Sequence, residues 1–248
     1  MVDFRYVANL KMNGTSDQVT NWINTVSKLP KKLQEKCVFC PPVCYLESAS
    51  NLIKIENYFL KLGSQNLDAN LKESYTGGIA ANMLRDIGCE YVIIGHSERR
   101  ILAKESDDIL SQKLKSALIS NLKVIYCIGE TIEERNNSQA FDKLASQLSL
   151  LTPFSEFKQN ISIAYEPIWA IGSGMALKLE DIKETLLYIK ETLSDIIGEG
   201  EHIPTLYGGS VVEDNANSYY NLKEVDGLLV GGASMIPEQF CKIVNNNT

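Results

Sequence analysis

Histidine is scarce: only His96 and His202 occur in 248 residues. A histidine-rich metal site is therefore not expected. No apolar run reaches the roughly 18 residues of a membrane span. No basic-apolar leader opens the chain, so neither secretion nor membrane insertion is expected. Basic charge is also in deficit. The chain has 24 Lys and Arg against 31 Asp and Glu, a formal net charge of -7. That balance argues against nucleic acid or an anionic membrane surface as the main partner. It is compatible with a small anionic substrate, because local donors override net charge.

Cysteine is present but offers little chemistry. Cys37 and Cys40 have the C-x-x-C spacing of redox or metal pairs. They belong to a short apolar run before Pro41-Pro42, where alternation puts the two thiols on opposite faces. They read as buried small hydrophobes. With 44% hydrophobic and 22% charged residues, the composition suits one globular fold with a large core.

Short apolar runs alternate with helical patterns. The strand candidates are 5–10, 37–40, 59–62, 91–94, 123–127, 161–165, 204–207 and 227–230. Between them, Val19, Trp22, Ile23 and Val26 form a helical stripe behind the capping-box pattern Thr15-x-x-Gln18. Leu110, Leu114, Ala117 and Leu118 form another, and Ile182, Leu186, Ile189 and Leu193 a third. Thr131-x-x-Glu134 predicts one helix whose apolar face includes Phe141, Leu144 and Leu148. Alternating strands and helices without a Pro/Gly-rich linker fit a closed parallel barrel or a doubly wound sheet. Polar residues follow nearly every strand: Asn9 and Lys11, His96 to Glu98, Glu130, Glu166, Gly208 to Ser210, and Gly231-Gly232. An open sheet concentrates its site at one crevice. A barrel gathers all its strand ends into one ring, so the pattern predicts a single (β/α)8 barrel of eight parallel strands over residues 1–248.

The candidate chemistry lies at those ends. Glu166 closes an apolar run, Pro167 follows at once, and the next loop has an apolar stem and a Gly172-Ser173-Gly174 tip. This reads as a general base beside a movable lid. Gly208-Gly209 and Gly231-Gly232 let backbone N–H groups approach an anion, and a short helix near Ala233-Ser234 would add its dipole. Ser210 belongs with this phosphate reading. A lone histidine after an apolar run is more often structural than catalytic. Yet Ser97-Glu98-Arg99-Arg100 could open a helical turn beneath His96, disfavouring the imidazolium. A neutral ring could then donate to a carbonyl while Glu166 takes a proton from the adjacent carbon. Lys11 is either a solvated lysine or the fixed cation of the site. Glu98 to Arg100 are either a solvated charge run or, at Glu98, part of a polar network. Glu130 is read as a helix cap without a catalytic role.

Six segments occur in an order that resembles the triosephosphate isomerase family across essentially the whole chain. They are 9–14, 91–100, 127–130, 164–172, 207–211 and 226–234. The resemblance implies interconversion of dihydroxyacetone phosphate and D-glyceraldehyde 3-phosphate without metal or organic cofactor, in a cytoplasmic enzyme of glycolysis and gluconeogenesis. It implies Glu166 as base and His96 as neutral electrophile, with Lys11 and Asn9 stabilising the anionic substrate and intermediate. Glu98 would support the site. Gly172, Ser210, Gly231 and Gly232 would hold phosphate as the loop from Pro167 to Leu177 closes, latched by Tyr207 and Ser210. A homodimer is also implied, in which Thr76, beside Gly77 and near Gln65-Asn66, approaches the partner's site. Nucleic acid and membrane are not implied as partners. The chain departs from the family pattern at Leu10, Glu73-Ser74, Gly78, Ser173 and Met175-Ala176-Leu177. Gly78 replaces a common glutamate that contacts an arginine matching Arg99. Glu105 offers that arginine another partner. The alternatives are a catalytically weakened barrel acting as a binding or interaction protein, or another phosphate-binding barrel enzyme.

Overall fold

The structure, a computed structural model, describes residues 5–69, 76–170, 177–198 and 200–246. Eight strands form its centre: β1 Arg5–Asn9, β2 Cys37–Cys40, β3 Lys61–Ser64, β4 Tyr91–Ile94, β5 Lys123–Ile128, β6 Ile161–Tyr165, β7 Thr205–Tyr207 and β8 Gly227–Val230. Each pairs in parallel with the next, and β8 pairs back onto β1 with Arg5 opposite Gly227. Closure leaves no free sheet edge.

Alternation along the strands sorts the core into two compartments. Val7, Val38, Cys40, Tyr91, Ile93, Ile125, Cys127, Ala164, Leu206 and Leu229 fill the barrel interior. The intervening residues, among them Tyr6, Phe39, Val92, Tyr126, Tyr165 and Tyr207, face the surrounding helices. Cys37 and Cys40 thus lie on opposite faces, both buried as free thiols, as their spacing predicts.

The first helix, Ser16–Val26, has the anticipated Thr15–Gln18 capping box and buries Val19, Trp22, Ile23 and Val26. Trp22 stacks on Phe39 with ring centroids 4.0 Å apart, and its indole N–H donates to the Ser234 carbonyl at 2.8 Å. This ties the first helix to the turn after β8. The helices Asp107–Ile119 and Leu179–Ile197 bury the apolar stripes read from the sequence.

Three expectations shift. The third strand lies two residues later than 59–62. Phe59 instead sits under the Lys31 ammonium, 4.0 Å away, while Gly63 fits against Cys40, Val38 and Tyr91, where a Cβ would crowd the Cys40 sulfur. The helix opened by Thr131 is two helices, Ile132–Asn136 and Ala140–Leu148, because Ser138 adopts φ 59° between them. The turn after β8 is a 3-10 helix, Gly232–Met235, starting one residue earlier than expected.

Asp68 and Ile79 exchange backbone and carboxylate hydrogen bonds of 2.9 and 2.6 Å. Asn66 accepts from the buried Lys113 ammonium at 2.6 Å, and that ammonium also donates to Glu105 at 2.7 Å. Glu105 holds Arg99 within the same chain at 2.7 Å.

Candidate active site

Parity explains what reaches the mouth of the barrel. Two residues beyond each inward side chain, the next inward position falls at the strand end. Val7 leads to Asn9, Ala164 to Glu166, Leu206 to Gly208 and Leu229 to Gly231. A cavity of about 280 Å³ opens there, and these four residues line it with Lys11, His96, Gly209, Ser210 and Gly232. Of the residues singled out in the sequence, the structure therefore brings Asn9, Lys11, His96, Glu166, Ser210, Gly231 and Gly232 together. Gly172, Met175 and Ala176 lie outside the described residues. Thr76 is exposed and does not line the cavity.

Glu166 and His96 are both buried and face each other, with His96 Nε2 3.1 Å from Glu166 Oε1. The other carboxylate oxygen accepts from the Ser97 N–H at 3.2 Å. His96 caps the helix Ser97–Ile101, and its Nδ1 accepts from the Glu98 N–H at 3.2 Å. An amide N–H can only donate, so Nδ1 offers a lone pair and the ring proton sits on Nε2, aimed at Glu166. The short helix thus fixes the tautomer by a direct hydrogen bond.

Burial pushes the Glu166 carboxyl above its ordinary value of 4.5. His96, the Ser97 N–H and Lys11 pull it partly back, and Glu98 adds to the rise. In the free protein this carboxyl is expected to titrate above 4.5. Carboxyl carbon NMR would locate the signal by its loss in Glu166→Gln. A midpoint at or below 4.5 would contradict the burial argument.

Lys11 is held in a left-handed backbone conformation, φ 51°. Its N–H donates to Asn9 Oδ1 at 3.0 Å and its carbonyl accepts from Gln65 Nε2 at 2.8 Å. Clasped at both ends, a conformation that costs a non-glycine residue becomes the one that aims the side chain. The ammonium meets Glu98 Oε1 at 2.8 Å, and the aliphatic end of the side chain passes over Gly231. Glu98 therefore belongs to a polar network and not to an unconnected charge run.

The glycines have steric reasons, and the Gly208 N–H, expected to be open to an anion, is instead spent on the Tyr165 carbonyl at 2.8 Å. A Cβ on Gly208 would press on Glu166 Cγ at 3.0 Å, and one on Gly209 would collide with the Tyr207 hydroxyl at 2.2 Å. Tyr207 lies beneath Gly209, its hydroxyl sealed between Tyr219 and the Leu177 backbone without a hydrogen bond of full geometry.

Glu130 does not cap a helix; Thr131 and Glu134 do that. Its Oε1 instead accepts from Arg135 Nε at 2.9 Å, Tyr165 OH at 3.0 Å and Trp169 Nε1 at 3.3 Å. It ties the residue before Glu166 to the stem after it. Arg100, read as part of a solvated charge run, is instead largely buried and donates to the Gly95 and Cys127 carbonyls and the Tyr126 hydroxyl, while Gly129 and Gln147 were not singled out. Gly129 stands two residues past the inward Cys127, so parity alone could have marked it as a strand-end position.

A closed parallel barrel carrying a buried carboxylate, a neutral imidazole and a lysine at its strand ends defines a (β/α)8-barrel enzyme of the proton-transfer type. The family model described as triosephosphate isomerase matches residues 5–247. The chain is 41% identical over 243 residues to a triosephosphate isomerase of Alkaliphilus oremlandii, covering 96% of each chain. It is 42% identical over 234 residues to that of Candida albicans, covering 93% of each, and 39% identical over 240 residues to that of Aquifex aeolicus, covering 96% of each. The chain belongs to the triosephosphate isomerase family.

Proposed function

We propose that Glu166, His96, Lys11 and Asn9 carry the family's reaction in this chain. That reaction is the interconversion of dihydroxyacetone phosphate and D-glyceraldehyde 3-phosphate, a step of glycolysis and gluconeogenesis. The observation that carries the assignment is the facing pair of Glu166 and His96, 3.1 Å apart in a cavity lined by Lys11 and glycines.

Substrate enters between the pair. The Glu166 carboxylate takes a proton from the carbon beside the carbonyl, and the C–H electrons move into the carbonyl to form an enediolate. The His96 Nε2–H donates to the oxygen that gains charge, while the Lys11 ammonium stabilises that charge electrostatically. Protonated Glu166 then returns its proton to the neighbouring carbon. The proton of the adjacent hydroxyl meanwhile passes to the former carbonyl oxygen, relayed by His96 Nε2, so that the new carbonyl forms where the hydroxyl stood. Every proton and electron pair stays accounted for, and the step needs neither a redox cofactor nor a metal. Before it can act, Glu166 must give up the Ser97 N–H and the His96 ring. Its raised basicity is useful here, because a stronger base removes a carbon-bound proton more readily.

Phosphate falls to the side of the cavity after β7 and β8, where Ser210, Gly231 and Gly232 expose their backbone. Gly172 is assigned to the same group through the lid. Tyr207 and Ser210 serve as its latch, since Tyr207 lies against the Leu177 backbone at the lid's far end. We read residues 1–248 as one barrel domain in the cytoplasm. No helix among the described residues is long and apolar enough to cross a membrane.

We assign a homodimer with Thr76 at its contact. Met12, 96% exposed, and Leu102, 77% exposed, stand beside the site loops that carry Lys11 and His96. Large apolar side chains left that open suit a covering surface. A coupled assay with D-glyceraldehyde 3-phosphate is expected to show turnover by a dimer in analytical ultracentrifugation. No turnover by the folded protein would favour the binding-protein alternative. An active monomer at about micromolar concentration would oppose the dimer.

A further inference from the structure

The helix Ala140–Leu148 buries Ala140, Leu144, Gln147 and Leu148 on one stripe. Gln147 is the polar member of that stripe and is 4% exposed. Its carboxamide is spent on a single residue: Oε1 accepts from the Gly129 N–H at 2.9 Å, and Nε2 donates to the Gly129 carbonyl at 3.1 Å. The ladder between β4 and β5 ends at Ile94 and Tyr126, so the side-chain amide takes the place of a strand partner beyond that point.

Gly129 is no ordinary turn residue. A Cβ there would stand 1.8 Å from the Glu166 carbonyl oxygen. The Glu166 backbone therefore rests directly on Gly129, and the height of one fixes the other. The clamp has a second arm. The Tyr126 hydroxyl donates to the main-chain carbonyl of Gln147 at 2.9 Å and accepts from Arg100 Nη2 at 3.0 Å. Arg100 Nε donates in turn to the carbonyl of Gly95, the residue before His96, at 2.8 Å. One chain of hydrogen bonds thus runs from beneath Glu166, outside the barrel wall, to the backbone behind His96.

We propose that Gln147, joined through Tyr126 to Arg100, is a positioning residue that sets Glu166 against His96 for proton transfer. The inference rests on reading Glu166 as the base. It touches no substrate, so its loss shows in the chemical step and spares phosphate binding, which belongs to the loops after β7 and β8.

Two variants test it. Gln147→Met keeps the volume and removes both hydrogen bonds. It is expected to lower kcat about tenfold at every pH, a smaller loss than the roughly hundredfold of an ångström-scale misplacement, with KM within about twofold. Gln147→Glu is isosteric and switchable. Protonated, its O–H donates to the Gly129 carbonyl and its C=O accepts from the N–H, restoring both contacts. Ionised, it sets a carboxylate oxygen against that carbonyl. Its kcat relative to the parent protein is therefore expected to fall as pH rises through the new carboxyl's titration. Both are measured per folded molecule, with folding read by circular dichroism. Parent-like kcat in Gln147→Met, a pH-independent ratio in Gln147→Glu, or a loss that only tracks the folded fraction would each overturn the proposal. So would failure of both variants to fold, which would make the residue purely structural. Glu166→Gln is measured alongside. If it turns over like the parent, the base assignment fails; if it is silent while the Gln147 variants are normal, the clamp alone fails.

Discussion

Glu166→Gln is expected to lower kcat by at least about a hundredfold, the lower end of what a positioned general base contributes. Glutamine fills the same space but cannot take the carbon-bound proton. Turnover close to that of the parent protein would remove Glu166 from its role. The same variant is expected to fold at least as firmly at neutral pH. Burial raises the folded carboxyl above its ordinary 4.5. Below 4.5 the group is protonated in both the folded and unfolded chain. Between 4.5 and the raised value the folded state binds more protons, so stability falls as pH rises through that window. Above both values the ionised carboxylate carries the full cost of its burial. Glutamine does not titrate, so that slope should vanish. Urea unfolding at pH values on either side of the window would show it, and an unchanged slope would argue against the burial effect. Loss of activity with kept or improved stability separates a removed base from a damaged fold.

Gly129→Ala is expected to act in the opposite manner on stability. Its added methyl would lie 1.8 Å from the Glu166 carbonyl oxygen, a backbone atom that cannot rotate away. Either β5 or the segment at Glu166 must shift. Forcing a methyl into packed surroundings typically costs about 1–3 kcal/mol. A shift near 1 Å at a catalytic group is worth roughly a hundredfold in rate. We therefore expect kcat to fall about that much, with KM changed far less. A crystal structure of the variant should show Glu166 displaced from His96. An alanine variant with unaltered kcat would mean that the position of Glu166 does not depend on the strand beside it.

Much of this architecture was legible because it repeats with a short period. Apolar runs gave seven of the eight strands within a residue or so, and alternation gave the opposite facing of Cys37 and Cys40. The third strand slipped because Phe59 looks like a strand residue yet finds its partner in Lys31, while Gly63 looks like a break yet fits the crowded interior. The helix break at Ser138 depends on one backbone angle that no side-chain pattern announces. Asn9, Glu166, Gly208 and Gly231 repeat with the same period as the strands, each one alternation step past an inward residue, whereas His96 does not: the inward Ile93 leads to Gly95, whose φ of 77° breaks the alternation before His96. Gln147 and Glu130 were not. Gln147 acquires its meaning from a glycine 18 positions away, and Glu130 from Tyr165 and Trp169, 35 and 39 positions away. Such contacts exist only after the barrel has closed.

The glycine side of the cavity sets a limit on how this site can be reshaped. At Gly208, Gly209, Gly231 and Gly232 nothing remains to trim, and Glu166 and Tyr207 already occupy the space that side chains would need at the first two. Redesign for a longer carbon skeleton cannot gain room there. It has to come from the apolar residues of the same cavity, where Leu229, Val212 and Met235 still carry bulk that can be cut away.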